Sequence, residues 1–200
     1  MISAVEFLLA MSVASGLVLA TVVIHYEGIS HGTDTGTGIK AHQVENQKKF
    51  YQRWAGVLGA QHLDNGVNPF QARDRSIRQK TILVVDHYVP QPDRDAGSRS
   101  IWCFLREFKA MGLNVKFWPA NLWHDPQYTA LLQQAGIEVY YGNEYAGRFA
   151  EWVQEHGAQL DYVLLSRPHV AQEHLDAVRA HSRAKVLFYG HDLHYARLLG

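Results

Sequence analysis

The sequence predicts an α/β fold, a parallel sheet covered by helices on both faces, running from Thr81 to the end of the 200-residue chain. Three observations predict it. Short apolar runs alternate with amphipathic segments from Thr81 onward; glycine-bearing returns (Met111-Gly112, Ala135-Gly136, His156-Gly157) lead from helix back to strand; and the first run, Ile82, Leu83, Val84, Val85, ends on Asp86 before a long polar loop. Uninterrupted apolar runs are what strands buried on both faces show, and strict strand–helix alternation makes their neighbours parallel.

The elements follow in order. Phe7 to Ile24 is an uncharged run of 18 residues, at the short limit of a bilayer span. Ser12, Ser15, Gly16 and Thr21 interrupt it, Glu6 precedes it, and it lacks the basic flank of a signal peptide. It reads as a buried helix over about 4–14, a stop at Gly16 and a strand over 17–24, with membrane association through residues 7–24 as the alternative. Residues 38–60 read as one helix, because Val44, Phe50, Trp54, Val57 and Leu58 recur at near-helical spacing. Asp64 to Lys80 has Asn, Gly, Pro and charge without periodicity and reads as a linker. Strands are then predicted at Ile82–Asp86, Asn114–Trp118, Ile137–Tyr141, Tyr162–Ser166 and Lys185–Tyr189. Helices are predicted at Ser98–Met111, Gln127–Ala135, Tyr145–His156 and His169–His181, with another starting near His191.

Composition excludes several functions. Nineteen basic residues balance nineteen acidic ones, so no long-range field recruits nucleic acid. The single cysteine, Cys103, has no internal disulfide partner and is expected as a small core residue of its helix. Twelve histidines are scattered; His25 and His31, and His191 and His194, lack zinc-site spacing, so no metal is expected. The first strand–helix loop has neither GxGxxG nor a P-loop, which removes NAD, FAD and simple ATPase readings, and no cofactor is expected.

That loop, PQPDRDAGSRS, delivers Gly97 and Ser98 to a helix N-terminus. Ser98 is placed to cap the helix, and the free amides with the helix dipole favour a nearby phosphate; an ordinary capped loop reads equally well. The last strand presents His191 and Asp192 at the same edge as Asp86, a pair able to hold sugar hydroxyls or assist proton transfer. Alternatively Asp192 caps the helix that follows. ILVVD also opens response-regulator receiver domains, but Ser166 stands where the phosphoacceptor carboxylate belongs, so a receiver-like signalling domain is the weaker alternative.

VVDHYVPQPDRDAGSRS, with VKFWPANLWHDPQYTALLQQAGIEVYYG, LDYVLLSRPHVA and HDLHYARL, resembles the amino-terminal lobe of bacterial family 4 glycosyltransferases, two-lobed GT-B enzymes of surface-polysaccharide synthesis. The front portion, with His25 and the QxxFxxRW pattern of Gln47, Phe50, Arg53 and Trp54, is similar to the closing segment of family 2, GT-A-type enzymes. The resemblance implies residues 1–63 as a GT-A-type remnant, 64–80 as linker and 81–200 as a Rossmann-like GT-B lobe, a piece of a larger transferase that is inactive alone. It implies a nucleoside-diphosphate sugar donor and a glycan acceptor, at the cytoplasm or the periphery of the inner membrane. Catalytic roles would fall to His191 and Asp192, and substrate binding to Asp86, Asp95, Gly97, Ser98, Arg99, Ser166, Arg167 and His169. A catalytically silent module that binds the acceptor or a partner chain is the competing expectation.

Overall fold

The computed structural model describes residues 36, 38–63, 68–74 and 77–191. Chain contacts divide the protein into two units, Met1–Arg78 and Gln79–Gly200, with the boundary inside the predicted linker. The readings made for residues 7–24, for His25 and His31, for Asp192 and for the helix near His191 beyond that residue lie outside the described residues. Among the described residues, no helix is long and apolar enough to cross a membrane.

In the first unit, α1 spans Gly38–Gln61, close to the predicted limits. Its stripe is not a core face: Val44, Trp54, Val57 and also Tyr51 are exposed. The segment read as linker contains a short helix, α2 (Pro69–Ala72). Asn68 accepts from the Gln71 amide and Pro69 occupies the first turn, so capping and a preset φ build a turn too short to show periodicity.

The second unit is a five-stranded, all-parallel sheet with a Rossmann-like strand order. Its strands are β1 (Thr81–Asp86), β2 (Asn114–Pro119), β3 (Glu138–Val139), β4 (Tyr162–Ser166) and β5 (Lys185–Tyr189). Its α-helices are α3 (Ala96–Ala110), α4 (Tyr128–Gln134), α5 (Phe149–His156) and α6 (Pro168–His181). The order across the sheet is β3-β2-β1-β4-β5, with Ile82 beside Val115 on one side and Tyr162 on the other.

Alternate strand residues serve opposite faces. Ile82, Val84, Val115, Phe117 and Leu164 pack with Ile101 and Leu105 of α3 and Tyr128 and Leu132 of α4. On the other face Trp118 meets the rings of Phe149 and Trp152 from α5, while α5 packs on α6 and α6 on β4. The helix layer therefore changes sides between β1 and β4, where an open α/β sheet leaves a crevice. Lys116, fully buried at 0 % exposure, is tolerated in β2 because its ammonium pairs with Glu138 on β3.

Several boundaries differ from the prediction for identifiable reasons. The third strand keeps only two of the five predicted residues: Tyr140 still donates to Phe117 O, but the chain then turns away at Gly142, φ +104°. The helix predicted from Tyr145 is a 3₁₀ turn at Asn143–Tyr145 followed by α5, because Gly147 at φ +69° interrupts the helical path. Gly112 and Gly136 adopt positive φ as helix-ending glycines do, whereas Gly157 does not; a Cβ on Gly157 would stand 2.5 Å from His181 O, so close packing requires it. Cys103 is exposed rather than a core residue, because Ser98, Ile101 and Leu105 form the inner face of α3.

Candidate functional site

The crevice lies at the carboxyl ends of β1 and β4, and the chain builds it from a buried carboxylate paired with a half-buried guanidinium. Asp86 ends β1 at 2 % exposure. Its Oδ1 accepts from Arg167 Nε at 2.8 Å and from the His87 amide at 2.8 Å. Arg167 follows β4, immediately before Pro168 at the start of α6, and holds φ +77°. A non-glycine residue there is strained by about 1–3 kcal/mol, and the Asp86 ion pair holds it in place. Burial opposes the Arg167 charge, but Asp86, with Tyr88 and Asp95, more than offsets it, so the guanidinium pKa lies above its ordinary value.

Gly97 faces this cation. A Cβ there would lie 3.1 Å from Arg167 Nη2, 3.2 Å from Asp95 Oδ1 and 3.2 Å from His191 Nδ1. The absent side chain thus lets a guanidinium, a carboxylate and an imidazole converge closely on the Gly97 backbone. His191, after β5, also has positive φ, +55°. Its Nε2 is 2.7 Å from Ser166 Oγ and its ring packs edge-on against Tyr189, so Ser166 turns Nδ1 toward Gly97. Ser166 is 0 % exposed: it can orient the imidazole but cannot reach a substrate as a nucleophile.

Helix α3 opens differently from the expectation. Asp95, not Ser98, is the cap, and the helix begins at Ala96. Ser98 is buried in the first turn, donating its amide to Asp95 Oδ1 at 2.7 Å and its hydroxyl to Oδ2 at 2.6 Å. Burial pushes the Asp95 pKa up, but the hydrogen bonds from Ser98 and Tyr88, with the Arg167 charge, win and hold it below the ordinary carboxylate value. A carboxylate therefore occupies part of the helix mouth. Asp95 takes the Ser98 and Arg99 amides, as the cap of a helix does.

The structure brings together Asp86, Asp95, Gly97, Ser166, Arg167 and His191. Ser98 stands behind them as part of the cap. Arg99 turns away, donating to Pro92 O at 3.3 Å on the exposed side of the loop. His169 lies at the outer rim, its Nε2 3.1 Å from His87 Nδ1. Tyr88 was missed by the sequence reading: it donates to Asp95 Oδ2 at 3.0 Å and lies under the Arg167 guanidinium. Its place two residues beyond Asp86 at a strand end was the available signal. Among the described residues no cluster of three or more histidine, cysteine or carboxylate side chains is arranged to hold a metal ion.

A further regularity marks this rim. Among the described residues, the non-glycine residues at positive φ are Leu122, Arg167 and His191, and each follows the carboxyl end of a strand. Compared with family models, with curated proteins and with solved structures, the chain has no match in any of the three.

Proposed function

We propose that this rim is the substrate site of a glycosyl transfer, moving a sugar from a nucleoside-diphosphate donor to a glycan acceptor in surface-polysaccharide synthesis. The observation that carries the reading is the convergence of Arg167 Nη2 and His191 Nδ1 on the Gly97 backbone, at the crevice where open α/β sheets hold phosphorylated ligands. Arg167 and the Ala96 and Gly97 amides would hold the diphosphate. His191, oriented by Ser166, would contact the reacting sugar, and Asp86 would keep the guanidinium in position. The protein's part in such a reaction is placement of the two substrates and electrostatic support of the departing phosphate.

A second reading, a glycan-binding module without transfer, is favoured by one feature: the Asp95 carboxylate at the mouth of α3 repels a diphosphate. The receiver alternative fits worse. Receivers use the strand order 2-1-3-4-5, whereas here β1 lies between β2 and β4, and the phosphoacceptor position is the buried hydroxyl of Ser166.

Calorimetric titration with UDP-glucose, UDP-N-acetylglucosamine and GDP-mannose tests the donor reading. Binding that Arg167→Ala weakens by about tenfold or more, the loss of one charge-assisted contact of roughly 1.5–3 kcal/mol, supports it. Binding of the same strength in Arg167→Ala, or no binding of any of the three, sinks it.

A further inference from the structure

On the β2 side of the same rim lies a groove of about 270 Å³ lined by Tyr88, Val89, Gln91, Asn121, Trp123 and Asp125. We propose that this groove is a carbohydrate-binding subsite in which a single pyranose ring stacks on Trp123.

Trp123 is 68 % exposed, a large aromatic surface left in water at the edge of a sheet whose other rings are mostly packed. Its presentation is held from several sides. Ala120 and Asn121 extend β2 alongside β1, their amides donating to Asp86 O at 2.7 Å and His87 O at 3.0 Å. Leu122 then takes φ +52° and its carbonyl is held by the Gly142 amide at 3.0 Å. The Trp123 amide donates to Asn121 Oδ1 at 3.1 Å. The facing loop is tied across the groove: Gln91 Nε2 donates to Asp125 Oδ2 at 3.1 Å, and Tyr128 donates its hydroxyl to Asp93. An outlying backbone conformation kept at a rim by this many bonds is a sign of a site.

The lining chemistry selects the ligand class. A pyranose has an apolar face of C–H groups and a girdle of hydroxyls. The indole offers a flat apolar surface with a polar N–H at its edge. Around it, the Asp125 carboxylate accepts from Gln91 and from the Gln127 and Tyr128 amides, and Asn121 Oδ1 accepts from the Trp123 amide. Sugar hydroxyls would share these fixed oxygens through their second lone pairs and take the Asn121 side-chain nitrogen as a donor. Asp125 is the one formal charge in the lining, so an anionic ligand is disfavoured and a neutral sugar is not. The volume lies just under the ~300–1,000 Å³ of small-molecule pockets, room for one sugar rather than a dinucleotide. Binding of the saccharide stands apart from the transfer reading; that the bound sugar is the acceptor rests on it.

The test is saturation-transfer NMR on the full chain, with methyl α-mannopyranoside, methyl β-glucopyranoside, methyl β-galactopyranoside and N-acetylglucosamine as probes and adenosine as the stacking control. At least one sugar is expected to receive saturation mainly at the protons of one ring face. That signal should fall to background in Trp123→Ala and persist in Trp123→Phe, and both variants should keep the circular dichroism of the parent because the side chain is exposed. No saturation of any of the sugars, equal saturation in Trp123→Ala, or a signal from adenosine alone would overturn the proposal. Arg167→Ala separates it from the donor reading: sugar saturation that survives there, while UDP- and GDP-sugar binding is lost, supports both. Sugar saturation without any nucleotide-sugar binding leaves this proposal standing and the transfer reading fallen.

Discussion

At the amino rim of the sheet the chain reverses on glycines, with Gly112 and Gly136 at positive φ before β2 and β3. At the carboxyl rim Gly142 also turns the chain after β3, but there the non-glycine residues Leu122, Arg167 and His191 take positive φ as well. The amino rim closes on itself through backbone and carboxylate: the Thr81 amide donates to Asp161 Oδ2 at 2.8 Å, and the Asn114 and Lys185 amides find Lys80 O and Asp161 O. The carboxyl rim buries an ion pair, crowds three polar side chains around a glycine and leaves an indole in water. Among the described residues, larger side chains keep the positive-φ conformation only at the carboxyl rim. Strain that a glycine would relieve, kept by larger residues, is how a functional edge differs from a structural one.

The largest expected effect breaks this contrast at Arg167. Arg167→Ala leaves the buried Asp86 carboxylate without its cation and should cost about 3–5 kcal/mol in urea denaturation. Arg167→Gly removes the same charge but relieves the backbone, so it should be about 1 kcal/mol less harmful than the alanine variant. Equal losses would mean that φ at this position carries no strain. At the opposite rim, Gly157→Ala drives a Cβ against a backbone oxygen and should cost about 1–3 kcal/mol, with no gain for any other side chain.

The capping change comes next. Asp95→Ala removes the acceptor of both Ser98 bonds and should cost about 1–2 kcal/mol. Because its folded pKa is depressed, the contribution of Asp95 is present above the ordinary carboxylate pKa and is lost as pH falls through the folded value, while Asp95→Ala melts without that dependence.

His174, in the middle of α6, gives a smaller effect. Its ring is buried against Phe149, with Nε2 unpartnered, and burial, opposed only by Glu173, lowers its pKa. The unfolded chain then binds the proton more readily, so stability is full above the ordinary imidazole pKa and falls as pH drops through it. His174→Phe should flatten the dependence of melting temperature on pH between pH 7.5 and 5.5; an unchanged slope would assign it to another group.

The sequence made the sheet legible because its strands carry unbroken apolar runs: Tyr162–Ser166, buried at four of five positions, and the edge strand Lys185–Tyr189, which buries none fully, both match the prediction residue for residue. Helix ends were less legible. The capping pattern at Asp95 and Ser98 reads in either direction until the hydrogen bonds are seen, and Gly147 inside an otherwise helical stretch hides the break before α5. The rim residues were largely named in advance, because residues at strand ends in a parallel sheet converge whatever their spacing. Arg99 was not separable from Arg167 by type, since orientation around a helix decides which one faces the crevice. Tyr88 and Trp123 went unmarked because an aromatic near a strand end is more often core, and only burial tells Trp118 from Trp123.

The most direct test of the central claim, that the carboxyl rim is a ligand site, is amide chemical-shift mapping while UDP-glucose and GDP-mannose are titrated into the full chain and into Gly97→Ala. Saturable shifts are expected at Ala96, Gly97, Arg167 and His191 in the parent, and none in Gly97→Ala, whose added methyl crowds the side chains of Arg167 and His191. Shifts confined to the amino rim around Gly112, Gly136 and Asp161, or the same shifts in Gly97→Ala, would contradict it.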